Sequence, residues 1–173
     1  MSSFSGWACF DLLPDQDSQH FLRKVRDLPA LADEEAHVLV RDRRVFLLFP
    51  RSPLPLTDAG AALVPGAAAR AVVATDFDEY GVINEIIDSD GKTVHQAAID
   101  EQDSGIPEND DSAARRRAAA LFGVDRADLD EVSRTWDADG ARPSVLGTPY
   151  LRWWDALGVP WPEDFADGAV PLP

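Results

Sequence analysis

Short apolar runs bounded by turn residues fill the chain as far as Asp100, and helical spacing dominates only from Asp111 onward. Strands first and helices later argue for separate strand and helix layers, not for alternating βαβ units. The expected fold is therefore α+β: a mainly antiparallel sheet with helices packed on one side and a helical C-terminal third. At 173 residues the chain reads as a single globular domain over 1–173. Such a length buries roughly 70% of the unfolded surface without disulfides or metals.

The elements follow from local chemistry. "SGWACFDLL" (5–13) reads as a strand ended by Pro14. In "DSQHFLRKVRDL" the apolar residues Phe21, Leu22, Val25 and Leu28 recur at helical spacing, with Asp17 or Ser18 as cap and Pro29 as stop. "AHVLV" and "RVFLLF" flank a polar turn and predict a hairpin. The proline- and glycine-rich stretch 50–66 reads as a loop with at most one helical turn. "ARAVVATDF", "YGVINEIID" and "KTVHQAAID" are three further strands, the last two joined by the tight turn "DSDG". Val82 and Ile86, with Asn84 between them, point to one face; Ile83 and Ile87, with Glu85 between, point to the other. Helices are expected over 111–123 and 125–136, and from about Thr148 and Pro149.

Charge is where this chain departs from an ordinary domain. It carries 31 acidic and 16 basic residues, a net charge of −15. The excess is local: residues 76–111 hold twelve acids against Lys92 alone. "AIDEQDSGIPENDD" (98–111) has six carboxylates and no positive charge. A solubility device would be spread more evenly. Phosphate backbones and anionic lipid repel such a surface, so neither nucleic acid nor membrane is expected as a partner. A basic protein is. The apolar runs are too short to span a bilayer, the start lacks a basic n-region, and the one cysteine, Cys9, suits a reducing compartment. A cytoplasmic protein is expected.

Motifs with chemistry are few. "AVVATDFDEYG" resembles the first motif of haloacid-dehalogenase-type phosphatases, which implies a nucleophile at Asp76 and an acid/base at Asp78. Glu79 and Tyr80 depart from the small residues that usually follow. The stretches with Asp88 and Asp90, and with Asp137 and Asp139, place glycine at position 4, where a calcium loop needs it at 6, so both read as turns. His20, His37 and His95 are scattered and Cys9 lies among apolar neighbours. The aromatic cluster around Tyr150, Trp153, Trp154 and Trp161 reads as core, with Trp153 or Trp161 as the alternative of an exposed anchor. No cofactor, metal site or catalytic residue is expected.

In size, acidity and compactness the chain resembles the immunity proteins of bacterial polymorphic toxins. That resemblance implies a non-enzymatic inhibitor that neutralises a basic toxin by blocking its active site. The expected contact set is Asp100, Glu101, Asp103, Glu108, Asp110 and Asp111, with Asp88 and Asp90. The alternative is a small metal-dependent hydrolase using Asp76 and Asp78.

Overall fold

The structure, a computed structural model, describes residues 4–51, 56–138 and 148–173. The elements run β1 (Ser5–Leu12), α1 (Ser18–Asp27), β2 (His37–Arg41), β3 (Arg44–Phe49), α2 (Thr57–Leu63) and β4 (Ala68–Asp76). A 3₁₀ turn at Asp78–Tyr80 leads into β5 (Gly81–Asp88) and β6 (Thr93–Asp100). The remaining elements are α3 (Ser112–Phe122), α4 (Arg126–Thr135), α5 (Leu151–Ala156), α6 (Phe165–Gly168) and β7 (Val170–Pro171).

Seven strands form one sheet in the order β6-β5-β4-β1-β3-β2-β7, and every adjacent pair is antiparallel. This is the expected α+β architecture. The first six elements follow a β-α-β-β-α-β order, with β1 and β2 kept apart by β3, which is a ferredoxin-like arrangement. β5 and β6 extend it as a meander.

Alternation along each strand sends side chains to opposite faces, so a sheet covered on both sides builds two cores. Under α1 and α2 lie Phe21, Leu22, Val25 and Leu63, packed against Ala8, Phe10, Val73 and Ile87. On the other face Phe122, Leu129, Trp153 and Trp154 pack against Cys9, Val72, Val82 and Ile86. The C-terminal helices share one side, as expected, but α1 and α2 cover the opposite one, so the helices do not all lie on a single face. The second of these was hidden by its composition. Glycine at position 60 reads as loop, yet a Cβ there would sit 2.7 Å from Cδ1 of Ile87. Its absence is what lets α2 settle on the sheet.

The caps are where the sequence places them. Asp17 accepts from the amides of Gln19 at 2.6 Å and His20 at 3.1 Å. Asp111 accepts from Ala114 N at the start of α3, and Gly123 closes that helix at φ 69°. Asp17→Ala should lower stability by about 1 kcal/mol, measured by urea unfolding. Among the described residues no helix is long and apolar enough to cross a membrane.

Candidate functional site

The acidic residues of the 76–111 segment separate into three groups. Asp88 and Asp90 sit at the β5–β6 turn, where Asp88 accepts from the amides of Asp90 and Lys92, both at 3.0 Å. Asp100, Glu101, Asp103 and Glu108 lie at the other end of β6, roughly 25 Å away at the usual rise of about 3.3 Å per residue. Asp110 and Asp111 lead into α3. The expected contact set is thus not one patch.

The middle group is held in place by its own first member. Asp100 accepts from the amides of Ser104, Gly105 and Ile106 at 2.9 to 3.1 Å and from the Ser104 hydroxyl at 2.9 Å. The Ser104 amide, with those of Ile106 and Gly105, holds its carboxyl down to about 2. Asp103 (φ 50°) and Gly105 (φ 77°) take left-handed conformations to turn the chain back. Asn109 then pairs with Gln96 as an isolated bridge, and Gln96 Nε2 donates to Pro107 O at 2.6 Å. Glu101, Asp103 and Glu108 remain exposed on this loop.

Beside the loop lies an apolar groove of about 360 Å³ lined by Phe4, Phe77, Tyr80, Ile83, Ile106 and Pro107, with Ser104. Tyr80 is 45% exposed, one of two large apolar side chains so exposed among the described residues. Phe4 meets Phe77 edge-on at 5.9 Å and Tyr80 at 6.4 Å. The amide of Glu101 donates to Tyr80 O at 3.1 Å and ties loop to groove. Gly81 makes the close approach possible: at φ 137° it lies where a Cβ would stand 2.0 Å from Ile99 O. Sequence reasoning missed the groove, because it joins residues from three distant segments.

Asp110 and Asp111 do different work from their exposed neighbours. The Asp110 side chain, only 10% exposed, accepts from His95 Nε2 at 2.8 Å and Arg115 Nη1 at 2.9 Å, and from the Ser133 hydroxyl. Burial pushes its carboxyl up, but the hydrogen bonds from His95, Ser133 and Arg115 outweigh this and hold it below the ordinary range. Asp111 is spent capping α3.

A second paired carboxylate, Asp11, accepts from Arg44 Nε at 2.6 Å and Arg70 Nε at 2.7 Å. Burial raises it, and the two guanidiniums more than reverse that shift. Because Asp11 and Asp110 have folded pKa values below the unfolded value near 4, their stabilisation is complete above that value and lost as pH falls through the folded ones. Asp76, raised by burial, works in the opposite sense. With Asp100 and Asp130 also held low, four lowered carboxylates against one raised predict a net fall in the unfolding midpoint below about pH 4, read by thermal unfolding. Asp11→Asn should flatten that fall.

The enzyme-like residues are placed as a strand end and a turn. Asp76 is 6% exposed and accepts from the Asp78 amide at 2.8 Å, while Asp78 takes φ 60°. Among the described residues no group of three or more His, Cys, Asp or Glu is placed to hold a metal; Asp139 lies outside them. Cys9 is buried, which pushes its thiol pKa up and keeps it from reacting as thiolate. Trp153 and Trp154 are fully buried, and Trp161 packs among Trp7, Phe46, Trp154 and Phe165, so none of the three is an exposed anchor. Compared with known proteins, the sequence matches no family model, and neither curated proteins nor solved structures give a significant match.

Proposed function

We propose that this chain is an acidic binding protein that inhibits a basic protein partner, acting inside the cell as immunity proteins do against a toxin. The observation that carries this reading is the apolar groove at Phe4, Phe77, Tyr80 and Ile106, flanked by the loop that exposes Glu101, Asp103 and Glu108. Protein interfaces combine an apolar, dehydrated centre with a polar rim, and aromatic residues anchor the centre. Here the rim carries only negative charge. Complementary charge speeds encounter with a basic partner and rejects acidic ones. Carboxylates entering a cationic substrate cleft take the place of an anionic substrate, and the aromatic groove holds them there.

The test is capture on the immobilised protein from lysate and secreted fraction of its own organism, at low and high salt, followed by an activity assay of what is caught. A basic enzyme should be held and inhibited. Tyr80→Ala should speed its release, weakening binding at least about tenfold. The triple change Glu101→Gln, Asp103→Asn and Glu108→Gln should slow association and flatten the salt dependence. Asp90→Asn, at the far turn, should do neither. Wild-type binding and inhibition by both the Tyr80 and the triple variants would sink the proposal.

A further inference from the structure

A cleft of about 1180 Å³ lies at the opposite end of β1 and β4 from the groove, and its lining sets four arginines among the carboxylates Asp11, Asp42, Asp155 and Glu163. Four arginines line it: Arg41, Arg43, Arg44 and Arg70. Their arrangement follows from register. Arg41 stands across from Arg44 on β2 and β3, Asp11 across from Arg44, and Arg70 across from Asp11. One lateral row of four strands therefore carries three guanidiniums around Asp11, and β5 continues it with Asp88 across from Arg70. Asp11 balances one of its two bonded partners. Arg41 is met by Asp164 from outside the row. The Arg43 guanidinium has no partner among the described residues.

Packing holds this charge in a fixed geometry. Arg70 lies 4.3 Å from the centre of the Phe122 ring and donates to Leu121 O at 2.7 Å. Arg44 is bound through two nitrogens to Asp11, at 2.6 and 3.3 Å. Each of these two guanidiniums still has N–H groups to spare, since a guanidinium carries five. Like charges directly across an antiparallel pair destabilise a sheet, and here Asp164 and Asp11 offset Arg41 and Arg44. Apolar lining comes from Leu12, Leu151, Pro160 and Trp161, and the Trp161 ring meets Phe46 edge-on at 5.6 Å. Asp42, Asp155 and Glu163 also line the cleft and, like Arg41 and Arg43, are solvent-exposed, so the less exposed Arg44 and Arg70 are its best-shielded charges.

We infer that this cleft binds a small anionic molecule with a planar ring, its phosphate or carboxylate on the arginine row and its ring against Trp161. The inference is independent of the protein-binding reading, because none of these residues belongs to the groove or the acidic loop. Calorimetric titration with phenyl phosphate, benzoate and the uncharged benzyl alcohol tests it. At least one of the two anions should bind saturably, and their ratio identifies the head group. Benzyl alcohol should not bind. Arg43→Ala should weaken the anion about tenfold, the loss of one charge-assisted hydrogen bond, with the unfolding midpoint unchanged. Arg41→Ala, which releases only an exposed ion pair, should act in the same direction. The inference fails if neither anion saturates below about 10 mM, if benzyl alcohol binds as well as they do, or if a variant combining Arg41→Ala with Arg43→Ala binds as wild type.

Discussion

Replacing Asp110 by alanine should cost the fold about 3 kcal/mol, while Glu108→Ala, two residues away, should change it by less than about 0.5 kcal/mol. Asp110 accepts from three side chains at once, those of His95, Arg115 and Ser133. His95 is fully buried, and its Nδ1 has no partner among the described residues, so losing Asp110 strips the hydrogen bond at its other ring nitrogen. Arg115 keeps Asp130, at 2.6 Å, which limits the loss on that side. Glu108 makes no such contacts and lies in solvent. Urea unfolding of the two variants measures the contrast. Equal midpoints would show that the network is not what orders the entry to α3. Binding should reverse the order: Glu108→Ala should weaken partner capture directly, and Asp110→Ala only through a less stable fold.

That contrast marks how far the sequence is legible. The strands were readable because alternation in "GVINEIID" and the turn "DSDG" are local signals, and the pairing of Ile86 with His95 and Asn84 with Ala97 bears them out. The concentration of acid was readable as well. Which acids are free was not, because Glu108 and Asp110 carry the same local chemistry. What separates them is the Gln96–Asn109 bridge, which turns Asp110 inward toward His95 and leaves Glu108 outside. Both surfaces with ligand-sized space were equally hidden. The groove assembles Phe4, Tyr80 and Ile106 from three separate segments, and the cleft brings Arg70 of β4 to the β2–β3 hairpin of Arg41 and Arg44 through β1, a neighbourhood only the sheet order creates. The α2 helix was missed for a different reason: Gly60, which lowers helix propensity, is the residue its close packing needs.

Trp154→Phe should also cost about 3 kcal/mol, although it exchanges one buried aromatic ring for another. Trp154 Nε1 donates to Asn84 Oδ1 at 2.9 Å, and both residues are fully buried between β5 and α5. Asn84 Nδ2 already has no partner among the described residues, so phenylalanine would take away the hydrogen bond that Asn84 Oδ1 accepts as well. An orphaned buried acceptor costs roughly 1–3 kcal/mol, and the smaller ring adds a cavity. The polar pair, once broken, is worse than an apolar one. Asn84→Leu in the Trp154→Phe background should therefore recover much of the loss, since Val82 and Ile86 flank Asn84 on the same apolar face. Asn84→Leu alone leaves the indole N–H unmet and should itself destabilise. A double-mutant cycle by urea unfolding should give a coupling of roughly 1–2 kcal/mol. Strict additivity would mean that the hydrogen bond contributes nothing and that the ring volume alone sets the cost.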